Sequence, residues 1–177
     1  AGTSRPGAMS AVLGLDPAAV EAACAESSGA DGVAVAANLN APDQVVISGD
    51  PAAVARAGDG CKARGAKRVL PLKVSGAFHS PLMAPAVPGL EAALAAAPFL
   101  APKFPVVANA SAEPVRTTAD AVRLLAAQLT APVRWIECMQ AAAVLAPEAA
   151  FIELGPGSVL SGLLRKILPG SKSLTLG

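Results

Sequence analysis

Aromatic side chains are nearly missing from this chain: it has no tyrosine, one tryptophan (Trp135) and four phenylalanines in 177 residues. Proteins that hold single-stranded nucleic acid stack bases on aromatic platforms, and such platforms are poorly supplied here. An excess of either charge is lacking too. Fourteen Lys and Arg against thirteen Asp and Glu leave a net charge of +1, too little to recruit DNA, RNA or a membrane surface. No nucleic-acid or membrane partner is therefore expected. Lys62, Arg64, Lys67 and Arg68 form the only dense basic cluster, where an acidic partner would dock. Cysteine is scarce. Cys24, Cys61 and Cys138 are odd in number, and no two stand at metal-ligand spacing. They read as reduced, mostly buried thiols of a cytoplasmic protein, with no metal site. The weakly charged run from Val74 to Pro102 is broken by prolines, His79 and two serines, so it is not a membrane span. Histidine occurs once, at position 79. Imidazole is the only side chain whose unperturbed charge changes near neutral pH, so His79 is the first candidate for acid–base chemistry. An obvious nucleophile is absent: no serine has glycine two residues before and two residues after it, as a G-x-S-x-G elbow requires.

What remains is apolar and globular. Hydrophobic residues make up 53% and charged residues 15%, a balance that excludes disorder. The chain is long enough to bury a core without disulfides or metals. Strands are expected at Ala8 to Leu15, Val33 to Asn38, Gln44 to Ser48 and Lys67 to Val74. Helices should start at Asp16-Pro17 and Asp50-Pro51, each an N-cap carboxylate before a first-turn proline. The order β-α-β-β-α-β is the ferredoxin-like arrangement, and it covers residues 8–74. Residues 75–177 read as a second part. Its helices are expected at 80–97 (in pieces), 118–128, 132–146 and 159–168, and its strands at 105–108, 150–154 and 173–176. Alternating strands and helices predict a parallel sheet and an α/β class.

Four stretches could carry chemistry. His79 lies in Val74-Ser75-Gly76-Ala77-Phe78-His79-Ser80-Pro81, a loop at the carboxyl end of a strand, where open α/β sheets place ligands. Asn38, Asn40 and Gln44 flank a turn; their amides either hold a polar ligand or only shape the turn. Glu153 to Leu160 (ELGPGSVL) runs from a strand through a Gly loop to a helix, a candidate anion or backbone-approach site. It matches neither G-x-G-x-x-G nor a Walker A lysine. Gln128 to Trp135 (QLTAPVRW) reads as a corner between two helices.

In this order the motifs are more specific than any one alone. NLNAPDQVVISGD, GAKRVLPLKVSGAFHSPLM, PVVANASAEPV, QLTAPVRW and FIELGPGSVLSGLLRKI closely resemble the malonyl-CoA:acyl-carrier-protein transacylase family, over Gly7 to about Leu168. The resemblance implies a partial α/β-hydrolase-like acyltransferase domain bearing a ferredoxin-like subdomain. It implies malonyl transfer from coenzyme A to the phosphopantetheine thiol of acyl carrier protein, through a serine-bound acyl group. No cofactor is implied, since the coenzyme A thioester is a substrate, and the complete enzyme would be a monomer. His79 would be the general base, oriented by the main-chain carbonyl of Gln128. Asn38, Asn40, Gln44 and Val159 would line the pantetheine channel. Lys67 and Arg68 would meet phosphates or the acidic carrier protein. Phe78, beside the base, would favour malonyl over methylmalonyl by limiting space at the acyl Cα. The family's G-H-S-L-G elbow, its Gln-bearing oxyanion loop and its carboxylate-gripping Arg match nothing in this sequence. The expectation is therefore a C-terminal fragment, inactive on its own. Two other readings stay open: a domain fragment of a polyketide synthase, and a non-catalytic module that binds carrier protein through Lys67 and Arg68.

Overall fold

The computed structural model describes residues 6–177. Its first half is an antiparallel four-stranded sheet made by β1 (Ala8–Leu13), β2 (Ala34–Ala41), β3 (Gln44–Gly49) and β4 (Arg68–Pro71), in the order β2-β3-β1-β4. Helices α1 (Pro17–Ser27) and α2 (Pro51–Ala63) connect the strands. This is the ferredoxin-like arrangement expected from the sequence. α1 starts as predicted, with the Asp16 carboxylate accepting from the Ala19 N–H at 3.0 Å. At the start of α2, Asp50 turns away from its own helix and accepts from the Val33 N–H at 2.8 Å, bracing the start of β2.

The core fills the space between the sheet and these two helices. Val12, Val20, Val45, Ile47, Ala57 and Cys61 are inaccessible to solvent there. Small residues allow the close approach: Ala23 and Ala57 lie in the same layer as Val20 and Val54. The other face of the sheet carries the smaller cluster of Met9, Ala37 and Val46. β4 is shorter than expected. Its ladder with β1 ends at Pro71, after which only the Leu72 N–H bonds back, to the Met9 carbonyl.

The second half wraps the edge and flank of that sheet. A 3-10 helix (Pro81–Ala86) leads into α3 (Val87–Ala96), so the helix expected in pieces is indeed split. Ser80 caps it, and Pro85 interrupts the helical hydrogen bonding. Strands β5 (Val107–Ala108) and β6 (Glu113–Pro114) form a small antiparallel hairpin; β6 carried no strand signal in the sequence. α4 (Thr118–Ala127) starts at a Thr117 cap that accepts from the Asp120 N–H. α5 (Trp135–Leu145) begins three residues later than proline 132 had suggested. The cause is Val133, which stays extended to pair with β2. β7 (Phe151–Leu154) and β8 (Ser173–Leu176) run parallel, as the alternation predicted, with α6 (Val159–Ile167) between them.

Two chain segments cross closely where the sheet unit joins the rest. A Cβ placed on Gly7 would lie 2.4 Å from the Ala77 nitrogen, so only glycine fits there. Gly7 precedes β1, and Ala77 follows β4 by a short loop. The sheet unit thus starts and finishes at one point of the molecule.

Candidate active site

His79 is half-buried on the loop after β4 and adopts a left-handed backbone, φ 57°. A non-glycine residue in that region needs local support. Ser80 provides some: it is fully buried, and its hydroxyl donates to the Ala77 carbonyl at 2.7 Å and accepts from the Leu82 N–H. The loop is thereby cross-braced on both sides of the histidine.

The ring itself is held from α4. His79 Nδ1 lies 3.1 Å from the main-chain carbonyl oxygen of Gln128, 49 residues away. A carbonyl only accepts, so this contact puts the proton on Nδ1 and leaves Nε2 as a free lone pair. The Gln128 side-chain amide, 3.3 Å from Nδ1, donates to the Ala131 carbonyl at 3.1 Å. It thus stiffens the turn that presents the carbonyl. No carboxylate is part of this arrangement, so the ring is oriented without added charge.

From Gln128 the chain runs five residues to Val133, which joins the sheet unit. The Val133 N–H donates to the Ala37 carbonyl at 2.8 Å, and the Val133 carbonyl accepts from the Leu39 N–H at 2.9 Å. These two bonds flank Asn38. The segment 128–133 therefore links the histidine and the amide-bearing strand, rather than serving only as a corner between helices.

The amides lie on one side of the sheet. β2 has irregularities between Ala36 and Asn38 and between Leu39 and Ala41. The first sets Asn38 opposite Val46, on the face away from α1 and α2. Leu39 faces the helix-side core, so Asn40 lies on the same side as Asn38. Gln44 precedes the core residue Val45 and shares that side. All three are half-buried. Arg68, opposite Leu13 and before the core-packed Val69, stands on the same face and is exposed.

Two of the four basic residues in the cluster are neutralised: Lys62 pairs with Asp59, and Arg64 with Glu26. Lys67 and Arg68 make no ion pair with the described residues, and both are exposed. The Lys67 stem lies over Gly14, where an added Cβ would meet it at 2.6 Å.

The Gly-Pro-Gly loop differs from its reading as an anion site. Both Glu153 carboxylate oxygens accept from the start of α6, one from the Leu160 N–H at 2.9 Å and one from the Ser161 N–H at 2.8 Å. An exogenous anion would find those donors taken. The bonds from Ser161 and Leu160 hold the Glu153 carboxyl below its ordinary range. Ser158 makes no side-chain cap, and Glu153 replaces it. Nothing in the spacing of the sequence marked that role. Val159 is 70% exposed at the end of this loop, and Phe78 is 40% exposed beside His79.

The cysteines are all buried and free. Desolvation pushes the Cys24 thiol up to about 12, with the neighbouring Cys61 and Glu21 adding to the shift. Burial also raises Cys61 and Cys138. None is a thiolate nucleophile at neutral pH. Among the described residues no cluster of His, Cys, Asp and Glu could hold a metal, and no helix is long and apolar enough to cross a membrane.

A ferredoxin-like sheet, a parallel β-α-β unit and a histidine anchored on a main-chain carbonyl together make an α/β protein of two joined parts. The chain belongs to the acyl transferase domain family, which matches residues 2–173. It is 46% identical to the malonyl CoA-acyl carrier protein transacylase of Escherichia coli K12 over 164 residues, 92% of this chain and 52% of that protein. It is 41% identical to the Bacillus subtilis enzyme of the same name, over 91% of this chain and 50% of that protein. Among solved structures, the acyl-carrier-protein S-malonyltransferase of Burkholderia pseudomallei 1710b superposes with a TM-score of 0.91 at 44% identity, covering 96% of this chain and 54% of that one. A malonyl-transacylase solved with a type II polyketide acyl-carrier protein gives the same TM-score at 39% identity, over 96% of this chain and 54% of its own. The chain spans about half the length of the relatives it matches.

Proposed function

We propose that this chain supplies the base and the thioester channel of an enzyme that moves malonyl groups from coenzyme A to acyl carrier protein in fatty acid synthesis. The observation that carries the reading is His79, with Nδ1 on the Gln128 carbonyl and Nε2 left to accept a proton. In the acyl transfer, Nε2 takes the proton of a serine hydroxyl while that oxygen attacks the malonyl thioester carbonyl. The C–S bond breaks, and the proton passes to the departing coenzyme A sulfur. Next, Nε2 takes the proton of the carrier's thiol, the sulfur attacks the serine ester, and the proton returns to the serine oxygen. The imidazolium formed in each step is stabilised by its bond to the Gln128 carbonyl. Among the described residues no serine hydrogen-bonds His79, so the nucleophile comes from elsewhere. The 177-residue chain alone is inactive on this reading.

Asn38, Asn40, Gln44 and Val159 contact the pantetheine arm, and Lys67 and Arg68 meet phosphates or the acidic carrier. Phe78 limits space beside the acyl Cα. One relative favours a second host for the same chemistry: the polyketide biosynthesis protein ThaF of Burkholderia thailandensis is 42% identical over 167 residues, only 14% of its length. The greater share covered in the transacylases supports the free-standing form.

A chimera tests the reading. The N-terminal portion of the Escherichia coli relative, joined to this chain at the matching position, should transfer malonyl to carrier protein. His79→Ala in that chimera should lower kcat by about 10²–10⁴-fold. A folded chimera that is inactive, or equally active without His79, refutes the assignment. Turnover by the 177-residue chain alone refutes the external nucleophile.

A further inference from the structure

Among the described residues, three of the five ion pairs are local and a fourth stays within the sheet unit. Lys62–Asp59, Arg123–Asp120 and Arg134–Glu137 are each three residues apart, and Arg64–Glu26 joins the two helices of the sheet unit. One is different. Lys166 Nζ contacts both carboxylate oxygens of Asp43, at 2.8 and 3.0 Å, across 123 residues. Among the described residues it is the only ion pair that joins the ferredoxin-like unit to the C-terminal half.

Its two ends are placed beside channel residues. Asp43 lies in the turn between β2 and β3 and immediately precedes Gln44. Lys166 lies in the last turn of α6, the helix that opens with Val159. A cation there also suits the negative end of the helix dipole. The other end of α6 is fixed as well, by the Glu153 carboxylate on the Leu160 and Ser161 N–H groups. α6 is therefore a rod of nine residues fastened at one end to β7 and at the other to the turn that carries Gln44. Its length fixes the span between Val159 and Gln44.

We propose that Asp43 and Lys166 are positioning residues that set the width of the thioester channel by tying α6 to the β2–β3 turn. The inference rests on the channel assignment made above. The pair is half-exposed, so it adds little to global stability. Its effect is on which separation of the two walls is most populated, and the size of that effect is bounded by the strength of a surface pair.

Pantetheine is the suitable probe, because it carries no charge and its affinity does not depend on phosphate recognition. Its Kd for the chimera described above, with this chain's residues native, would be measured by calorimetry. D43N and K166M should each weaken binding about two- to fivefold, the scale of one exposed pair. The exchanged pair, D43K with K166D, should restore it. Raising the salt should weaken binding to the native chimera and leave K166M unmoved. D59N, which breaks a local pair, should change nothing. The melting temperatures of all variants should stay close to the parent, which separates positioning from unfolding. If the native chimera binds pantetheine and both single variants bind it equally well, the tie is refuted while the channel stands. If the native chimera does not bind pantetheine, the channel assignment fails and the tie fails with it.

Discussion

Glu153 shows how much a single side chain can do without a sequence signal. It sits in a strand, where its neighbours Ile152 and Leu154 suggest nothing but sheet. Only the fold turns its carboxylate onto the start of α6. Its folded carboxyl is held below the unfolded value, so its contribution is present above the ordinary carboxylate range. That contribution fades as pH falls through the lowered value. Protection of the Leu160 and Ser161 amides, as exchange relative to the intrinsic rate at each pH, should therefore be high at neutral pH, fall in acid, and be low at all pH values in Glu153→Ala. Cysteine, by contrast, was legible: odd count and absent metal spacing led to buried free thiols, and all three are. With Cys24 pushed up to about 12, the native chain should leave a thiol reagent at pH 8 unreacted, and three equivalents should appear once it is denatured. Fast labelling of Cys24 or Cys61 would contradict the packing of α1 on α2.

At the level of elements, the strands and helices of the sheet unit were readable because local signals and tertiary need agree. Asp-Pro starts, β-branched runs and turn residues all point to β-α-β-β-α-β. Ile47, inaccessible in the core, anchors that agreement. Ile47→Ala should cost about 2–5 kcal/mol in urea unfolding. Val133 is the counter-example. Proline 132 looks like a helix start, yet the next residue is drawn into a strand-like pairing with Ala37 and Leu39. No local periodicity announces a partner almost a hundred positions upstream. Val133→Pro would remove the donor to the Ala37 carbonyl and should destabilise the chain by about 1–3 kcal/mol. It should also shift the ¹H and ¹⁵N resonances of the His79 ring, because the same segment holds Gln128. A variant with an unmoved ring would separate the two sites. The hairpin strand β6 was illegible for a related reason: two residues carry too little pattern to register.

At the level of the whole molecule, the second half leaves much apolar surface uncovered. Leu100, Phe104, Val144, Leu154 and Val159 are each at least 70% exposed, and Ile152, Leu174 and Leu176 are more than half exposed. A two-stranded parallel sheet is rarely left open on both sides, since its faces read as continuous apolar runs. The isolated chain should therefore bind a hydrophobic dye strongly and scatter light increasingly with concentration. Replacing Leu154 and Leu176 with lysine should reduce both signals; unchanged scattering would place the sticky surface elsewhere. The sequence hid this because composition reports how apolar a chain is, not which residues the fold leaves without neighbours. The crossing of Gly7 and Ala77 has a different consequence. Two chain ends that already touch cost little entropy to join. The four-stranded unit is thus, in topological terms, a closed loop hung on the rest of the molecule at one point. Such a loop can be lengthened or reshaped at its far turns while its root stays fixed, but β2 has no such freedom, because its bonds to Val133 carry any shift of that strand to the segment that holds the histidine.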